Sequence, residues 1–126
     1  MSLDICKLYL EALNTKDLEG VLKLFHNEAV VYSPLYGEIK AELFYKTLFE
    51  DTTSSDTKLL DLFYSDSKKT SVALHFNYRW QMKNGEHFEF DCVDIFEISS
   101  DATQFLKLTI IYDTAPLRDA FNGNKR

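Results

Sequence analysis

Residues 86–98 alternate strictly, as a strand with two unlike faces does, and one face carries Phe88, Phe90, Cys92, Asp94, Phe96 and Ile98. Asp94 is the charged group of that otherwise apolar row. A carboxylate there is costly unless it is hydrogen-bonded or neutralised. Desolvation raises its pKa and favours the protonated form, a strong hydrogen-bond donor to a ligand oxygen. Three structural alternatives stand beside this one: a pair with Arg79, a bond to a backbone amide, or a register shift that turns Asp94 outward. Tyr9 recurs with Ile5 and Leu13 at helical spacing, so a buried helix face carries its hydroxyl inward, where it needs a partner. Aimed at Asp94, the pair would stabilise a developing oxyanion. Asp113 is a further acidic candidate, for proton transfer or for an ion pair with Arg118, and Tyr32 is a weaker candidate for the same transfer.

The same parity selects a wall. Val72, Leu74, Phe76, Tyr78, Trp80 and Met82 share one face of residues 71–82. In the last strand the inward positions are Leu108, Ile110 and Tyr112. Tyr78, Trp80, Phe90, Phe96, Leu108, Ile110 and Tyr112 are therefore the expected apolar ligand contacts, with Tyr32 and Ser33 beside them. The opposite face of residues 86–98 bears Val93 and Ile95 among polar residues, which suits either a solvated sheet or a homodimer contact.

Other chemistries lack their residues. His26, His75 and His87 show no zinc spacing, and Cys6 and Cys92 no metal-type spacing. The apolar neighbours of Cys92 favour a thiol over a thiolate. With 4 glycines and no glycine-rich phosphate motif, neither a metal nor a cofactor is expected. The net charge is −6 and the short pairs Lys68-Lys69 and Lys125-Arg126 make no basic stripe, so no nucleic-acid partner is expected. No apolar run approaches the roughly 20 residues of a membrane span, and the N-terminus lacks a signal-peptide pattern. The cytoplasm is the default location.

These residues need elements to hold them. Helical periodicity covers 3–13, then a segment capped by Thr15 or Asp17 that runs to about 25, then 39–49 with Leu43, Phe44 and Leu48 buried. Asn14 is a candidate left-handed cap. Residues 29–32 read as a short strand, 33–37 as a turn and 51–56 as a polar loop. Strands follow over 58–65, 71–82, 86–98 and 104–113, with a hairpin turn at Asn84-Gly85 and a loosely held tail from 115. Helices followed by a run of antiparallel strands imply an α+β fold. The 126 residues, 45% of them hydrophobic and including 10 Phe and 7 Tyr, suffice for one domain over 1–126 with a real core.

The segment YLEALNTKDLEGVLKLF (9–25) followed by EAVVYSP (28–34) resembles the opening of ketosteroid isomerases and of the wider SnoaL-like branch of the nuclear transport factor 2-like superfamily. The likeness extends through VDIF (93–96) to IYD (111–113). It implies a cystatin-like cone, with three N-terminal helices packed into a curved, mainly antiparallel sheet, and a homodimer. It also implies an oxyanion-binding pair at Tyr9 and Asp94. The isomerases carry a general-base aspartate just before the proline, where this chain has Ser33. An unaided serine cannot abstract a carbon-bound proton near neutral pH. The expected function is therefore a cofactor-free pocket for a small apolar ligand. It would act as an isomerase, dehydratase or cyclase on a carbonyl compound, as a non-catalytic binder, or as a dimeric interaction domain, and ordinary steroid isomerisation is not expected.

Overall fold

The computed structural model describes residues 2–67 and 70–118. The chain is an α+β cone in which helices pack into a curved six-stranded sheet. Its elements are α1 (Ser2–Asn14), α2 (Leu18–Leu22), β1 (Phe25–Ser33), β2 (Gly37–Lys40), α3 (Ala41–Glu50), β3 (Thr52–Tyr64), β4 (Ser71–Met82), β5 (His87–Ile98) and β6 (Phe105–Ile111). The strand order is β2-β1-β6-β5-β4-β3. All pairings are antiparallel except β1 with β6, which run parallel.

Each helix has a local cause. Ile5, Cys6, Tyr9, Leu10, Ala12 and Leu13 bury one stripe of α1. Asp17 caps α2 by accepting the Gly20 N–H at 2.9 Å. The left-handed residue between the two helices is Lys16, at φ 54°, and not Asn14; Asn14 instead accepts the Thr57 N–H with its side chain at 2.8 Å. That bond ties the end of α1 to β3. In α3 the positions Ala41, Phe44, Tyr45, Leu48 and Phe49 face the core, while Leu43, expected to be buried, is 54% exposed.

Four boundaries differ from the sequence pattern. The second helix stops at Leu22, and Phe25 opens a strand that reaches back past Ala29. Ile39 and Lys40, expected to open the third helix, belong to β2, which is hairpinned onto β1. The last strand ends at Ile111, short of Asp113. The Thr/Ser-rich segment expected as a loop is the beginning of β3, pairing Thr52 with Met82 and Ser55 with Trp80. Two of its hydroxyls satisfy buried aromatics: Thr52 Oγ1 accepts the Trp80 indole N–H at 2.8 Å, and the Ser55 and Tyr78 hydroxyls bond at 3.0 Å, while Thr53, Ser54 and Asp56 are exposed.

The alternation in β4 holds as read. Val72, Leu74, Phe76, Tyr78, Trp80 and Met82 are all buried, whereas Arg79 and Gln81 are exposed. In the described part of the tail, Leu117 is buried at 1% exposure and Arg118 Nη2 donates to the Pro34 carbonyl at 2.8 Å. That stretch is fastened to the β1–β2 turn, contrary to the expected loose tail. Residues 119–126, with Lys125-Arg126, and the Lys68-Lys69 pair lie outside the described residues.

Candidate functional site

Asp94 lies on the concave side of β5, at 1% exposure, where its register neighbours are Leu74 in β4 and Ile110 in β6. Arg79 is on the other face, in ion pairs with Asp56 and Glu89. The pairing alternative for Asp94 is thereby removed, and so is the outward register. Its partners are neutral. The Cys92 thiol donates to Asp94 Oδ1 at 3.2 Å. Tyr9, on the buried stripe of α1, is close enough for its hydrogen bond to stabilise the carboxylate. Behind it the Tyr9 and Tyr45 hydroxyls bond each other at 2.7 Å. If Tyr9 gives its proton to Asp94, Tyr45 must supply the one between the two tyrosines, so the chain of donors runs from α3 through α1 to β5.

Burial lifts the Asp94 carboxyl from 3.8 to about 7, against the opposing pull of the Cys92 and Tyr9 hydrogen bonds. Burial likewise holds the Tyr9 and Tyr45 hydroxyls well above the ordinary phenol range, with the Asp94 charge adding to the effect. It pushes the Cys6 thiol up to about 12 and raises Cys92 further, Asp94 again contributing to both. Near neutral pH, Asp94 is thus the group of this cluster able to exchange a proton.

Asp94 lines a cavity of about 40 Å³, room for a few water molecules. Helix α1 contributes Tyr9 and Leu13, and α3 contributes Phe44 and Leu48. From β4 come Phe76, Tyr78 and Trp80, and from the far side Ile110 and Tyr112. Because Tyr78 and Trp80 spend their polar atoms on β3, they offer the cavity apolar ring surface. Ser33 and Tyr36 complete the lining. The Tyr36 hydroxyl donates to Asp51 Oδ2, at the C-terminal end of α3, at 2.6 Å, and its ring meets Phe44 edge-on at 5.4 Å.

Among the residues that the sequence singles out, Tyr9, Asp94, Ser33, Tyr78, Trp80, Ile110 and Tyr112 thus converge on one cavity. The others fall elsewhere. Phe96 stacks on Phe105 at 3.9 Å and meets Tyr9 edge-on at 5.1 Å, filling the core beneath Tyr9. Leu108 is fully buried and likewise outside the wall. Phe90 backs Tyr112 at 4.5 Å from outside it. Tyr32 faces out of the sheet, with the Lys107 ammonium 5.0 Å over its ring. Asp113 is exposed past the end of β6 and accepts the Ala115 N–H at 3.1 Å; Arg118, its expected partner, is on Pro34 instead. Neither Tyr32 nor Asp113 reaches the cavity.

Reading the sequence missed Tyr36, Tyr45 and Asp51. For Tyr45 a signal was present, since Ala41, Phe44, Tyr45, Leu48 and Phe49 repeat at helical spacing. Tyr36 and Asp51 are joined only by the fold. Among the described residues no group of three or more His, Cys, Asp or Glu is placed to hold a metal ion, and no helix is long and apolar enough to cross a membrane.

Residues 7–103 match the SnoaL-like domain family. Among curated proteins none matches the chain. Among solved structures, AusH from Aspergillus nidulans superposes with a TM-score of 0.74 at 16% identity, over 90% of this chain and 84% of that one. An NTF2-like protein of unknown function from Exiguobacterium gives 0.72 at 15% identity, over 90% and 98%. A protein with a ketosteroid isomerase-like fold from Catenulispora acidiphila, solved in complex with trimethylamine, gives 0.75 at 8% identity, over 90% and 88%. At these identities the likeness is one of fold.

The raised carboxyl ties stability to pH. The folded protein holds a proton between 3.8 and about 7 that the unfolded chain releases, so the contribution of Asp94 is full below 3.8 and is lost as pH rises to about 7. Each pH step in that window costs about 1.4 kcal/mol. Urea unfolding of the wild type and of Asp94→Asn at pH 5 and pH 8 should show the wild type losing about 3 kcal/mol relative to the variant. Parallel pH profiles would show that the carboxyl is not raised.

Proposed function

The chain belongs to the SnoaL-like domain family, and from that premise we propose that it is a pocket protein for a small, mostly apolar molecule with a carbonyl-type oxygen. Asp94 in its neutral form, with Tyr9 beside it, holds and polarises that oxygen. The observation that carries this reading is a 1%-exposed carboxyl, raised to about 7, in the wall of a cavity made otherwise of aromatic and aliphatic surface. The closed cavity of about 40 Å³ is smaller than the roughly 150 Å³ of an engineered cavity that accepts benzene, so a molecule of benzene's size enters only as lining rings shift, and a steroid would demand far more room. That the Catenulispora protein was solved with trimethylamine is consistent with a small occupant.

A catalytic version of the reading needs a proton acceptor across from Asp94. Ser33 does not serve. The candidate is Asp51 acting through Tyr36, a lining residue whose hydroxyl donates to that carboxylate at 2.6 Å. With it, the reaction would be an enol-forming isomerisation or dehydration.

We further propose that a second copy covers the convex side of the sheet. The cross-strand row Phe63, Ala73, Ile95, Thr109 and Tyr32 lies next to Val93 and Ile111. Phe63 is 53% and Ile111 49% exposed. Both signs of charge flank this row, in Arg79 with Asp56 and Glu89 and in Lys107 with Glu97, so a two-fold copy can match opposite charges.

Two measurements test these proposals. Titrating 2-pentanone while following Trp80, the sole tryptophan and part of the cavity wall, should give an affinity that is constant below pH 7 and weakens about tenfold per pH unit well above it. Asp94→Asn should bind with no such dependence. Binding that strengthens with pH, or no binding at any pH, contradicts the pocket reading. The same samples in D2O read out catalysis, which requires exchange of the α-hydrogens that Tyr36→Phe abolishes. For the dimer, light scattering at micromolar concentration should give twice the mass of one chain, and Ile95→Glu should halve it; a wild-type monomer refutes the contact.

A further inference from the structure

Ser33 ends β1 inside the cone, at 9% exposure, and lines the cavity. Its hydroxyl oxygen accepts two backbone bonds from the turn that follows, from the Leu35 N–H at 3.2 Å and the Tyr36 N–H at 3.1 Å. A serine hydroxyl has two lone pairs and one hydrogen. Both lone pairs are spoken for, and among the described residues no acceptor takes the hydrogen. The turn that imposes this is itself held in place, by Arg118 on the Pro34 carbonyl and by Tyr36 on Asp51.

Asp94 stands across the cavity. Tyr32 pairs with Thr109 in the parallel β1–β6 ladder, so continuing one residue brings Ser33 beside Ile110, which pairs with Asp94. Two strand spacings of roughly 4.8 Å put the two residues about 10 Å apart at the backbone, with both side chains pointing inward. A molecule spanning that gap meets a donor at each end and apolar rings between.

We infer that Ser33 is a fixed hydrogen-bond donor and that the site selects small neutral molecules with two acceptor oxygens, a keto-ether, keto-ester or lactone, over simple ketones. The inference rests on the pocket reading above and deepens it. It also explains why the position cannot serve as a base: its oxygen is already occupied, and what it presents to the cavity is hydrogen.

The test uses isosteric pairs in which one methylene becomes an ether oxygen: 2-pentanone with methoxyacetone, and 2-hexanone with 4-methoxy-2-butanone. Each is titrated at pH 5.5 by Trp80 fluorescence and by amide shifts. In the wild type, at least one ether partner should bind about fivefold more tightly than its ketone, as one added neutral hydrogen bond allows. Ser33→Ala should bring that ratio to about one, and Ser33→Thr should keep it. A purely structural serine would weaken both members of a pair alike and leave the ratio intact. Equal affinities within both wild-type pairs overturn the inference while leaving the pocket reading standing. Failure of all four molecules to bind removes the pocket reading itself.

Discussion

The cost of keeping a carboxyl out of water organises this molecule. Asp94 is carried inward by strand parity, because Cys92, Phe96 and Ile98 on the same face of β5 are core residues. Once inside it must be neutralised or bonded. Among the described residues no cation pairs with it; the nearest guanidinium in the register, Arg79, is on the opposite face. Neutral donors take that role, a thiol on the same strand and a phenol from α1, itself backed by a phenol from α3. Three elements distant in sequence thereby converge on one group, and that group is left close to its titration point at neutral pH. A protonation state so balanced suits proton exchange or pH-gated binding far better than it suits stability.

The cavity follows from how the remaining polar atoms are disposed of. Aromatic side chains build large walls, but Tyr and Trp each bring a polar atom that needs a partner. In this cone the partners of Trp80 and Tyr78 are Thr52 and Ser55, buried on the neighbouring edge strand β3 and outside the cavity wall. The rings are thus apolar toward a ligand. Beside Ser33 the polar bonds fasten the β1–β2 turn to the end of α3 and to the C-terminal stretch. Ser33 is fixed by that turn. At that position the chain presents a hydroxyl and no carboxylate to a cavity of about 40 Å³.

Much of this was legible in the sequence. Parity in β4 and β5 identified the inward rows, and with them Asp94, Tyr78 and Trp80. Helical spacing brought in Tyr9. The family resemblance was carried by the first two helices and the segment before Pro34. Parity failed where burial of a face did not mean access to the cavity: Phe96 and Leu108 point inward, as expected, yet Phe105 and Tyr9 pack over Phe96 and fill that end of the cone. Composition failed at 51–56, since a Thr/Ser-rich stretch is a loop by propensity but a strand when buried indoles and phenols need hydroxyl partners. Tyr36 with Asp51, and Arg118 with Pro34, join residues 15 and 84 positions apart, and no local pattern announces such pairs.

The central claim is that Asp94 is a carboxyl poised near neutrality inside an apolar cavity. Its most direct test is the carboxyl carbon resonance of Asp94 in protein labelled with ¹³C at aspartate, assigned by comparison with Asp94→Asn and followed from pH 4 to pH 9. One resonance is expected with its midpoint at about 7, lost in the variant. A midpoint in the ordinary aspartate range, about 3.5 to 4, would contradict it, and with it the reading of this pocket as a donor for a ligand oxygen.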